Sequence, residues 1–114
     1  MKLPNSALAI KTYSPSKLGI TNTTSLNQII EGEKLPAGSL LEFWVNSNTT
    51  YGSEISDAIK NISGQPFYGF CFIYRTLDGT TRFIKCIKYS DWSTYVNLYT
   101  EVNSNGWMND WEKV

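Results

Sequence analysis

The apolar positions of this chain alternate with polar ones in several stretches and fall at helical spacing in two others. Ser39-Leu40-Leu41-Glu42-Phe43-Trp44-Val45 reads as a strand, with Leu41, Phe43 and Val45 on one face and Leu40, Glu42 and Trp44 on the other. The first set makes the better core face. Residues 67–76 and 80–89 are aromatic and β-branched runs joined by Leu77-Asp78-Gly79, a hairpin signal. Residues 93–103 predict a last strand, with Tyr95, Asn97, Tyr99 and Glu101 alternating against Val96, Leu98 and Val102. Leu26, Ile29 and Ile30 share one face of a two-turn helix, with Ser25 and Gln28 placed for a capping box, and Gly32 and Pro36 close it. Residues 53–62 predict a second helix, capped by Ser53, stopped by Gly64, with Ile55, Ile59 and Ile62 inward.

Between these elements, Asn46 to Tyr51 reads as a polar loop. Residues 1–23 read as an extended lead-in or arm, with a strand near 7–13 and a helical turn at 15–18, and residues 24–114 as the single folded domain. The pattern predicts an α+β, mainly β fold: a small antiparallel sheet of four or five strands, an Asp-Gly hairpin, and one or two short helices across a face.

The hairpin admits two registers. A two-residue type I′ turn pairs Leu77 with Thr80, which sets Cys71 opposite Cys86, Ile73 opposite Ile84 and Arg75 opposite Arg82. Facing arginines are unfavourable. A three-residue loop with a bulge at Gly79 shifts the register by one and separates them. In the first register Cys71 and Cys86 fall at a hydrogen-bonded pair, whose wider spacing favours free buried thiols over a disulfide.

Composition narrows the function classes. The 114 residues hold ten basic and ten acidic side chains, for a formal charge of zero, which argues against nucleic acid as a partner. No run is long and apolar enough for membrane insertion, and no secretory leader is expected at the start. The size suits one domain. The sequons at Asn22, Asn48 and Asn61 are expected by chance in a chain so rich in Asn, Ser and Thr. There is no His, which removes the commonest general base and metal ligand. No phosphate loop, nucleophile elbow or Cys-x-x-Cys pair occurs. No cofactor, no metal and no catalysis are expected. Paired carboxylates drawn from Asp57, Asp91, Glu101 and Asp110 are the remaining enzymatic option.

Aromatic residues make up 14% of the chain, and this together with abundant Asn and Thr suits sugar binding or subunit packing. Candidate ligand residues are Tyr95, Asn97 and Tyr99 on the last strand and Trp92 just before it, with Asn46, Asn48 and Tyr51 from the polar loop. Trp107 and Trp111 are either part of that platform or a structural clasp holding the chain's end, and the clasp is the preferred reading.

Ser-Leu-Asn-Gln-Ile-Ile (25–30), the Tyr/Phe-rich hairpin, the strand Tyr95–Tyr99 and the finish Asn105-Gly106-Trp107-x-x-x-Trp111-Glu-Lys-Val together resemble phage tail-fibre modules of the pyocin-knob type. The likeness covers 24–114 loosely and 93–114 more closely. Three residues separate the two tryptophans here, where two are commoner, and 48–64 is more helical. The resemblance implies a homotrimeric virion structural domain, assembled in the bacterial cytoplasm and located in the tail. Such a domain helps a receptor-binding fibre attach to a host-surface polysaccharide. A stand-alone secreted or surface carbohydrate-binding module is the alternative.

Overall fold

A computed structural model describes residues 10–107 and 110–114. In chain order they form β1 (Lys11–Tyr13), a 3-10 turn (Pro15–Leu18), α1 (Leu26–Ile30), β2 (Ser39–Val45) and α2 (Thr50–Ser63). There follow β3 (Gly69–Arg75), β4 (Thr81–Lys88), β5 (Thr94–Thr100), a 3-10 turn (Val102–Ser104), β6 (Gly106–Trp107) and β7 (Glu112–Lys113). The seven strands make one mixed sheet in the order β1-β2-β3-β4-β5, with β6 and β7 both paired to the far side of β5. The fold is α+β and mainly β. β1 runs parallel to β2, and the remaining pairs are antiparallel.

Both helices lie against one sheet face. Leu41, Phe43 and Val45 of β2 and Cys71 and Ile73 of β3 are buried there with Ile84 and Cys86 of β4. Ile29 and Ile30 from α1 and Ile55 and Ile59 from α2 close the layer. Each such aliphatic side chain contributes roughly 1.5–3 kcal/mol by leaving water. Ahead of residue 24, Lys11–Tyr13 joins the sheet and Ile20 is buried in the core. The portion of the predicted first strand before Ile10 lies outside the described residues.

α1 forms as its capping box dictates. Gln28 N–H donates to the Ser25 hydroxyl at 3.1 Å, and Ser25 N–H donates to the Gln28 side chain at 2.8 Å. α2 departs from expectation by being capped four residues early. Its cap is Thr49, whose hydroxyl accepts from Gly52 N–H at 3.0 Å. The N–H groups of Thr50 and Tyr51 donate to the carbonyls of Asn22 and Thr24, at 2.8 and 3.1 Å. Donors that would be orphaned at a helix start are thereby satisfied from a distant segment. Tyr51 is consequently a helical core residue, edge-on to Phe43 at 4.9 Å, and not a loop residue. Ile62, expected inward, is 48% exposed, because the last turn of α2 borders an open groove.

The hairpin keeps the register of the two-residue reading but not its turn. Leu77 to Thr80 form a four-residue connection in which Gly79 N–H donates to the Thr76 carbonyl at 2.8 Å, with Gly79 left-handed at φ 78°. Thr76 N–H donates to Thr81 at 2.9 Å, and Tyr89 N–H donates to Tyr68 at 3.2 Å. Bonds at these two pairs, with an unbroken register between them, place the hydrogen-bonded sites at even-numbered β3 residues. Cys71 and Cys86 therefore occupy a non-hydrogen-bonded pair, opposite to expectation. Both are free and buried.

Arg75 and Arg82 do face each other, and the mutual repulsion is relieved by shared acceptors. Arg75 Nε and Arg82 Nη1 both donate to the Gly79 carbonyl, at 2.9 and 3.0 Å. Arg75 Nη1 reaches the Leu35 carbonyl at 2.9 Å, and Arg82 Nη1 pairs with Glu101 Oε1 at 3.1 Å. Arg82 is only 1% exposed and lies under the Tyr99 ring, 5.6 Å from its centroid.

Candidate functional site

At the end of the sheet where β3 and β5 begin and β4 ends, an open groove of about 660 Å³ lies beside the C-terminus of α2. Ile62, Ser63 and Gln65 form one wall, Lys88 comes from the end of β4, and Asp91 and Ser93 from the β4–β5 connection. Tyr95 of β5 and Trp111, Glu112 and Lys113 complete it. The second wall exists because Tyr95 pairs with Lys113 and Val96 with Glu112. Tyr95 is held from behind by Phe67, edge-on at 6.0 Å. An aromatic wall facing amide, hydroxyl and charged groups can stack a ring and hydrogen-bond its substituents.

Lys88, Lys113 and Asp91 bring charge to the groove. Asp91 accepts from Ser93 N–H at 3.0 Å. Its carboxyl titrates below the ordinary aspartate range because of its hydrogen bonds with Ser93 and, more weakly, the nearby Lys88 and Lys113. An aspartate held ionised is a poor proton donor at neutral pH. Among the described residues no group of three His, Cys, Asp or Glu could hold a metal ion.

The structure does not assemble the expected ligand set. Tyr95, Asn97 and Tyr99 share a face as predicted, but it is the core face, where they pair with Cys86, Ile84 and Arg82. Tyr95 is 4% exposed, so it offers the groove an edge and not an open ring. Asn97 borders a separate hollow with Phe83 and Leu98, and Tyr99 a third with Glu101 and Ser104. Trp92 stands 79% exposed in the β4–β5 connection, in a left-handed conformation at φ 63°. Asn46 folds back to accept from Asn48 N–H at 2.8 Å, and both sit two strands away from the groove, at the end of β2. Trp107 packs edge-on to Tyr99 at 5.6 Å and donates to Asn27 Oδ1 of α1 at 3.3 Å. Trp111 is half-buried against the core and lines the groove.

The sheet carries a second surface, which no expected site residue marks. On the sheet face away from the helices, Trp44 meets Phe70 edge-on at 5.0 Å and Tyr89 at 5.8 Å. Phe72, Tyr74 and Phe83 extend it. The signal was in β3, where Phe70, Phe72 and Tyr74 alternate against buried Cys71 and Ile73, so both faces of one strand are apolar.

No helix among the described residues is long and apolar enough to cross a membrane. No protein-family model, curated protein or solved structure matches the chain.

Proposed function

We propose that this chain is a non-catalytic domain of a phage or prophage tail fibre that recognises a host-surface polysaccharide through the groove between α2 and β7. The observation that carries the reading is the groove's lining. Trp111 and the edge of Tyr95 supply apolar surface, while Ser63, Gln65, Asp91 and Lys88 supply donors and acceptors at the rim. Sugars present apolar ring faces and polar edges, and a half-apolar open groove matches both. The ionised Asp91 suits hydroxyl recognition better than acid catalysis. The fibre assignment rests on the sequence likeness of 93–114, and the proposal carries with it three copies about a fibre axis.

A glycan array of bacterial surface polysaccharides tests the binding. The intact chain is expected to retain a defined subset, and Gln65→Ala with Lys88→Ala to lose it while circular dichroism stays unchanged. Absence of any glycan binding by the intact chain, or equal binding by the double variant, overturns the reading.

A further inference from the structure

The sheet face turned away from the helices carries a second apolar layer. Trp44 is 41% exposed there, Phe70 51%, Phe83 52% and Tyr89 62%. Four strands about 4.8 Å apart, with same-face residues about 6.8 Å apart along each, give three rows covering roughly 400 Å² in projection. That is the size of the largest apolar patch on an ordinary monomer, a patch that is often functional. Among the described residues, Glu112 of β7 lies at the edge of this face beside Val96, and on β2 to β5 two charged side chains stand on it: Glu42 on β2 and Lys85 on β4. They lie in one cross-strand row on either side of Phe72.

We propose that this face binds a second copy of the chain, sheet on sheet, about a two-fold axis running along β3 over Phe72. Rotation about that axis exchanges β2 with β4 and keeps each row in place. Glu42 then comes over Lys85 of the second copy, and the pair forms twice. Phe72 meets itself, and Trp44 comes over Ile87. The other in-plane two-fold, running across the strands, would set Glu42 on Glu42 and Lys85 on Lys85, which like-charge repulsion disfavours. Aligned sheets pack about 10 Å apart and rotated by about 30°, so residues one strand from the axis are displaced by only about 2.5 Å, within reach of both side chains. The area is about half that of a standard interface per partner, so the pairing is reversible and depends on concentration. It is independent of the glycan reading. Trimers joined through this face would pair into six.

Light scattering over a concentration series tests the pairing, using Glu42→Lys, Lys85→Glu and the double exchange, all at exposed positions. The intact chain is expected to approach a mass of two or six copies. Each single exchange replaces two attractions by two repulsions and weakens pairing about tenfold, and the double exchange restores it. A mass fixed at one or three copies, or pairing unaffected by the single exchanges, overturns the inference. Three copies would leave the fibre reading intact.

Discussion

Cys71 on β3 stands directly opposite Cys86 on β4, both fully buried, at a cross-strand pair whose backbones do not bond to each other. Such pairs bring Cα atoms to about 4.5 Å, so the two thiols meet inside the core. Burial, reinforced by the adjoining Cys86 thiol, pushes the Cys71 thiol well above its ordinary value. Thiolate is the reactive form, so neither access nor ionisation favours attack. An aromatic disulfide reagent is expected to leave the folded protein unmodified and to modify both cysteines in guanidinium chloride. Rapid stoichiometric modification of the folded chain would contradict the buried placement.

The Arg82–Glu101 pair is lopsided, with Arg82 1% exposed and the Glu101 side chain 48% exposed. Arg82 Nη2 is buried with no partner among the described residues. Removing Glu101 leaves a buried cation bonded only to the Gly79 carbonyl. Glu101→Ala is expected to cost about 1–2 kcal/mol, a buried pair's value reduced for the solvent around the glutamate. Arg82→Met removes the charge itself and is expected to cost less. Urea unfolding of the two variants would show the order, and a larger loss for Arg82→Met would sink this account.

Gly52 sits where the chain doubles back at the start of α2. A Cβ there would lie 2.3 Å from the Asn46 carbonyl oxygen and 2.5 Å from the Thr49 hydroxyl. Helix propensity favours alanine by about 1 kcal/mol, but the clash is with backbone and the net effect is expected to be a loss of about 2–3 kcal/mol. Thr49→Ala loses only the cap, about 1 kcal/mol. Thermal unfolding distinguishes them: a Gly52→Ala protein as stable as the parent would show that α2 does not begin as described.

Asp78 holds the hairpin turn, accepting from the Thr76 hydroxyl at 2.7 Å and from Thr80 N–H at 3.1 Å. Its carboxyl titrates below the ordinary aspartate value, chiefly through the Thr76 hydroxyl and then Thr80. A depressed carboxyl pKa stabilises the folded state above the unfolded value, and that stabilisation is lost as pH falls through the folded value. Stability of the parent is therefore expected to drop more on acidification below the usual aspartate range than that of Asp78→Asn. Parallel pH curves for the two proteins would refute the turn's role.

Where both partners of an interaction lie within a few residues, the sequence determined the outcome. The Ser25–Gln28 box and the inward set Leu41, Phe43 and Val45 follow from local spacing and capping chemistry, whereas the hairpin kept two registers open until the sheet chose the one that sets Cys71 opposite Cys86. Period-two alternation also put Tyr95, Asn97 and Tyr99 on one face, but alternation defines two faces without saying which one the helices cover. That choice is made by packing, and it put the tyrosines under the core and left Phe70 outside. The start of α2 needed carbonyls from Asn22 and Thr24, over twenty residues away. Burial of Arg82 needed Gly79 and Glu101 to converge on it. The groove needed β7 to return beside β5, bringing Trp111 and Lys113 opposite Gln65 and Lys88. Each of these is settled by partners distant in the chain, which local pattern cannot encode and only the closed sheet brings together.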